Sequence, residues 1–178
     1  GWAKGDAALL IYDRYDIWSF DPEGKKAPVR LTKNGRENKV TYRRIVLDRE
    51  QMDIDLKEPM LMTGFNEVDK STAVYRARLI APATPTLLAG GNFSYDNVMK
   101  AKNADKYIYS KENFEVFPDV WVADANFKKN LQLTQGIRQQ DAFIWGTAEL
   151  ISWISLDGKK LEGVIYKPAN FDPNKKYP

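Results

Sequence analysis

Two stretches of this chain carry the same pattern. Asp16-Ile17-Trp18-Ser19-Phe20-Asp21 is followed, after a turn, by Val29-Arg30-Leu31-Thr32. Asp119-Val120-Trp121-Val122-Ala123-Asp124 is followed in the same way by Asn130-Leu131-Gln132-Leu133-Thr134. The unit is Asp, an apolar residue, Trp, two more residues, Asp, a turn, then Leu-Thr. The two tryptophans stand 103 positions apart. A blade of four short strands takes about 40–50 residues, so that gap suits two blades and a long loop. A fainter copy lies between them, Ala73-Val74-Tyr75-Arg76-Ala77 followed by Pro85-Thr86-Leu87-Leu88. Each copy is preceded by a run that suits a hairpin partner: 8–13, 59–65 and 105–110. The pattern predicts an all-β fold, a partial β-propeller of about three four-stranded antiparallel blades. An unrelated β-sandwich in which Asp-x-Trp recurs by chance is the competing reading.

The rest of the chain agrees with a fold of strands. Apolar residues alternate with polar ones at period two, are rich in β-branched and aromatic types, and are interrupted by Asp, Asn, Gly and Pro. Strands are predicted over 8–13, 16–20, 29–32, 42–47, 59–64, 73–79, 86–89, 97–101, 106–110, 119–123, 130–134, 149–155 and 161–167. Asp21-Pro22-Glu23-Gly24 reads as a turn because Pro presets φ and Gly tolerates a positive one. Leu156-Asp157-Gly158-Lys159 reads as a hairpin turn of the Asp-Gly kind. The best segment for a short helix is 94–102.

Two absences limit the chemistry. The chain has no histidine and no cysteine. Disulfides, thiolate metal sites, a Ser-His-Asp triad and nearly all zinc and copper sites are therefore excluded within it. A formal net charge of +3 with acids and bases interspersed gives no basic patch of the kind nucleic acid needs. The long uncharged run 79–95 contains Pro82, Pro85, Gly90 and Gly91 and reads as a turn-rich connection, not a membrane span. The first residue is not Met and the last four are Lys-Lys-Tyr-Pro, which predicts a chain cut from something longer.

The blade strands, with Asp-Ile-Trp or Asp-Val-Trp and then Leu-Thr, resemble those of the prolyl oligopeptidase family of serine peptidases, especially its bacterial dipeptidyl- and acylaminoacyl-peptidase-like members. The run from Phe143-Ile144-Trp145-Gly146 through Ser155-Leu156-Asp157-Gly158-Lys159 to Lys167-Pro168, and on to Phe171-Asp172-Pro173 and Lys175-Lys176-Tyr177-Pro178, resembles that family's crossing from propeller to α/β-hydrolase domain. The resemblance implies that residues 1–146 are the C-terminal blades of the propeller, and that 147–178 are the linker and leading strands of a hydrolase domain otherwise absent. It implies a parent that hydrolyses peptides, in a bacterial periplasm or cytoplasm and with no cofactor, and a propeller that gates access to its site. The family's Gly-x-Ser-x-Gly elbow, its acid and its histidine match no position here, so no catalytic residue carries over. A non-enzymatic propeller used as a protein-binding scaffold fits the same repeat, and a sugar- or lipid-binding β-sandwich is the third alternative.

Candidate site residues are few. Arg138, in the polar run 138–141 before the crossing, is placed to face the hydrolase domain or its substrate. Phe143 and Trp145, with Trp121 and Trp153, are candidates for lining a cavity between domains, although aromatic residues of this kind more often form core. Asp48, Glu50, Asp53, Asp55 and Glu58 lack the glycine and spacing of a calcium loop and read as a solvated acidic loop. Asn92-Phe93-Ser94 is a formal glycosylation sequon. The aspartates that follow the tryptophan strands read as strand-end residues that accept backbone hydrogen bonds. Open strand edges on a partial propeller predict self-association, with 161–167 most exposed to displacement.

Overall fold

The computed structural model describes residues 1–177 and is nearly all β. Every sheet runs in chain order, each strand antiparallel to the one before it. The first sheet holds β1 (Leu9–Tyr12), β2 (Ile17–Phe20) and β3 (Val29–Arg30). The second holds β4 (Val40–Arg44), β5 (Met60–Asn66), β6 (Thr72–Ala77) and β7 (Thr86–Ala89). The third holds β8 (Ser94–Lys100), β9 (Lys106–Glu112), β10 (Asp119–Asp124) and β11 (Asn130–Gln132). A separate hairpin follows, β12 (Thr147–Ile154) against β13 (Lys160–Lys167). Single turns of helix, α1 (Gly35–Asn38) and α2 (Ile137–Gln140), lie just after the first and third sheets.

All thirteen expected strands are present, with ends moved by a few residues. Three points differ from the sequence expectation. The segment 94–102 is no helix but strand β8, whose register against β9 slips between Asp96 and Met99 where Asn97 takes a left-handed φ of 54°. An extra residue at such a bulge disturbs the period-two pattern, which is why it read ambiguously. The first blade has three strands rather than four. Beside β1 runs only Gly1–Ala3, bridged at Trp2–Leu9, with the Leu10 amide donating to the Gly1 carbonyl at 2.8 Å. The last hairpin begins at Thr147, not Glu149, and its turn is 155–159.

The core lies in two clusters, one on each side of the second blade. Along β5, Met60 and Met62 point into one cluster with Leu10, Ile17, Leu31, Val40 and Tyr42, between the first and second blades. Leu61, one residue away and on the other side of the pleat, joins Val74, Tyr95, Tyr107, Tyr109, Ala123 and Phe127 between the second and third. A strand sandwiched in this way is apolar on both faces, which is why 59–65 reads as a continuous apolar run. The middle, fainter repeat copy is β6–β7, the last two strands of its sheet, the same positions that the tryptophan copies take in the sheets on either side.

The repeat has a structural cause. Asp16 Oδ1 accepts from the Thr32 hydroxyl at 2.9 Å and from the Gly35 amide at 3.2 Å, while the Thr32 hydroxyl accepts from the Ile17 amide at 2.9 Å. Asp119 Oδ1 repeats this with the Thr134 hydroxyl at 2.5 Å and the Gly136 amide at 2.8 Å, and Val120 donates to Thr134 at 2.9 Å. The Asp at the start of the last strand but one thus ties down the Thr that follows the last strand and the glycine at the following turn of helix. The aspartates at the far ends act as expected: Asp21 accepts the amides of Glu23, Lys25 and Lys26, and Asp124 those of Lys128 and Lys129.

Candidate functional site

In a meander, alternate turns fall at the same end. The turns β1–β2, β5–β6 and β9–β10 share one end with the exits from the first, second and third sheets. The hairpin β12–β13 hangs at this end. Between it and the turns lies a cleft of about 450 Å³, bordered by Asp69–Ser71, Asn92–Ser94, Asn113–Glu115, and Ala148, Leu150 and Tyr166 of the hairpin. A second cleft of about 500 Å³ is lined by Arg14, Lys39, Glu67, Lys70, Lys160 and Glu162. Lys70 borders both and donates to Glu162 at 2.6 Å, the ion pair that links hairpin to blade. Both partners are more than a third exposed, so solvent screens the pair and it adds little to the docking of the hairpin.

The first two blades are latched at the same end. Arg14 holds Glu67 through two bonds of 2.8 and 3.0 Å, and the Tyr15 hydroxyl donates to Glu67 at 2.9 Å. The Arg14 guanidinium holds the Glu67 carboxyl below its ordinary pKa; burial opposes it, and the Tyr15 hydroxyl and the Lys70 charge add to the lowering. Asp13 is likewise held low. Burial pushes it up, but the Asp16 and Tyr15 amides, the Trp18 indole and Arg36 together outweigh that. Arg43 donates to the carbonyls of Asp13 and Arg14. On the other flank, Arg76 reaches from β6 to the Ala125 carbonyl and the Asn126 side chain of the third blade.

The crossing segment after the third blade docks on the β9–β10 turn. Gln140, buried, donates to the Glu115 carbonyl at 3.0 Å, and the Trp145 indole donates to the Phe114 carbonyl at 2.6 Å. Phe114 packs between Trp145 and Tyr166 of β13 at centroid distances of 6.0 and 5.0 Å. Of the three residues singled out in the sequence, Trp145 sits in this aromatic contact, half exposed. Phe143 is exposed on the segment leading to it, and Arg138 is exposed on α2. The structure does not gather the three around one cavity. Trp121 packs against the core between the second and third blades, and Trp153 lies over Gly163 across the hairpin. The residues that build the clefts, Glu67, Lys70, Asn113, Phe114 and Tyr166, carry no motif. Turn composition was their only signal.

The Ser155 hydroxyl donates to the Asp157 carboxylate and the Lys159 carbonyl within the hairpin turn, and Ser71 donates to Asp69 within its own turn. Both hydroxyls thus shape turns. In the acidic loop, Asp48 and Asp55 accept the amides of Glu50 and Lys57, and Asp55 pairs with Lys4. Among the described residues no cluster of three or more acids is placed to hold a metal ion.

No family model matches the chain, and no curated protein sequence matches it. Solved structures do match. The AtxE2 isopeptidase without ligand aligns at a TM-score of 0.60 and 10% identity, over 96% of this chain and 25% of that one. A variant of it with Astexin3-dC4 bound aligns at 0.57 and 12%, with the same coverage. The acylaminoacyl peptidase of Pyrococcus horikoshii aligns at 0.54 and 17%, over 97% of this chain and 25% of that one. At these identities the likeness is one of fold. The chain spans about a quarter of the length of each of these peptidases.

Proposed function

We propose that this chain is the non-catalytic part of a serine peptidase of the prolyl oligopeptidase kind, in which its blades gate substrate access and support the hydrolase domain. Residues 1–146 are then blades, and 147–178 are the crossing and leading hairpin of the hydrolase domain. The observation that carries this reading is the order of parts: consecutive meander blades run into a hairpin hung at their turn end, in a fold similar to stretches of two peptidases. The absence of histidine leaves Ser-His-Asp chemistry to residues outside 1–178. On this reading Arg138 and Phe143, both exposed beside the crossing, face the hydrolase domain or its peptide.

The test has two parts. The coding sequence past codon 178 should contain Gly-x-Ser-x-Gly, followed by an acid and a histidine. The isolated chain should show no turnover of aminoacyl-proline or acylaminoacyl chromogenic substrates. Turnover in a clean preparation, or a downstream stop codon or binding module in place of the elbow, overturns the reading. The second of these outcomes favours a scaffold propeller.

A further inference from the structure

The hairpin β12–β13 pairs only with itself among the described residues. Its register runs from Thr147–Lys167 to Ile154–Lys160 without a bulge. The Ser155 amide donates to the Lys159 carbonyl at 2.8 Å, which sets the phase of the ladder. From there every second pair is hydrogen-bonded within the hairpin, and the pairs between are not. Ala148, Leu150, Ser152 and Ile154 fall in the second set, so their N–H and C=O groups point out along the free edge of β12. Proteins blunt such edges with charges, prolines or bulges. β12 has none but Glu149, which is tied to Lys167 at 2.5 Å. Leu150, Ile151, Trp153 and Ile154 are 40–65% exposed. The edge of β13 is different. It carries Lys160 and Glu162, and Glu162 is engaged with Lys70 of the second blade.

The geometry points to β12 as a pairing edge for a second copy of this chain, strand against strand in antiparallel array around a two-fold axis. Outward groups must meet outward groups, which allows only alternate registers. One of these pairs all four outward residues. In it Ala148 stands opposite Ile154 of the second copy, Leu150 opposite Ser152, and Ile151 meets its own counterpart on the axis. Glu149 then faces Trp153 of the second copy, so no like charges oppose. The result is a continuous four-stranded sheet, the same strand count as each complete blade. The pairing is isologous and closes at the dimer. It does not depend on the peptidase reading.

Two charge variants on the axis test it. Ile151→Lys and Ile151→Glu each place like charges directly opposite at the centre of the pair. By sedimentation velocity at tens of micromolar, the unaltered chain should be a dimer and each variant alone a monomer. An equal mixture of the two should regain the dimer, because Lys now faces Glu. Val164→Lys, on the other edge, should leave the dimer intact, and circular dichroism should show all variants folded. A monomeric unaltered chain, a variant that dimerises alone, a mixture that stays monomeric, or dissociation by Val164→Lys would each overturn the assignment.

Discussion

Replacing Thr32 with valine exchanges a hydroxyl for a methyl group of nearly equal volume, so the packing stays and only hydrogen bonds are lost. Thr32 is fully buried beside Asp16, which is also fully buried. The substitution removes a charge-assisted bond to Asp16 and strips the Ile17 amide of its acceptor. Asp16 Oδ1 keeps only the Gly35 amide at 3.2 Å. Its Oδ2 has no hydrogen-bond donor, although the Arg30 guanidinium at 3.5 Å supplies charge. A lost bond to a charged group and an orphaned buried amide together cost about 3 kcal/mol. Thr134→Val makes the same change in the third blade, with a different expected cost. Thr134 is exposed, so water can reach the Val120 amide, and Asp119 keeps Gly136 and Gln132 as donors. There the loss should be about 1 kcal/mol. Urea unfolding of the two variants reads this directly, as midpoint shifts at unchanged slope. Equal shifts, or a larger one for Thr134→Val, would refute the argument that burial sets the cost of this repeated hydrogen-bond set.

Other expectations follow from the same geometry. Gly64→Ala places a Cβ 2.4 Å from the Tyr75 ring and 2.9 Å from Val40, between strands that cannot separate, and should destabilise by about 1–3 kcal/mol in a denaturant titration. Asp119 is held below its ordinary pKa: burial pushes it up, and Gly136, Thr134 and Gln132 pull it down further. The stability it supplies is therefore present above the unfolded value near ~3.9 and is lost as pH falls below it, so Asp119→Asn should flatten the acid limb of a stability–pH curve. Burial pushes Tyr42 and Tyr109 up to about 12. Their contribution is whole below the unfolded value of ~10 and fades between there and about 12; Tyr15, Tyr75, Tyr95 and Tyr107 are also pushed up, so an ultraviolet titration should show six of the nine tyrosines ionising late, Tyr42 and Tyr109 together with loss of structure.

The sequence showed strands because strand burial is written at period two, and strands such as β4, β5 and β9 keep that period or an apolar run. It showed the repeat because Asp16 and Asp119 each need a Thr at a fixed structural place. It left the segment that became β8 open between strand and short helix because a single left-handed residue, Asn97, breaks the alternation there. The three-stranded first blade was not legible, since 1–7 carries no alternation and pairs through only a few backbone bonds. The clefts were hidden for another reason. Glu67, Lys70, Phe114 and Tyr166 come from two turns and a hairpin that adjoin only after the sheets stack, and no local pattern encodes that. Trp145 was found because it is a large aromatic in a crossing, but its partner, the Phe114 carbonyl, is a backbone group with no sequence signature.

The alternation along β5 has a mechanical consequence. Met60 and Met62 serve one core and Leu61 the other, so the second blade is the shared wall of both. Opening either outer blade exposes one face, whereas opening the middle blade exposes two at once. Unfolding in a linear stack with such nearest-neighbour coupling starts at the ends and reaches the centre last. Amide hydrogens in β5 and β6 should thus exchange only by global opening, with those of the first sheet and of β11 exchanging earlier, so that the chain peels inward from both sides toward a single keystone.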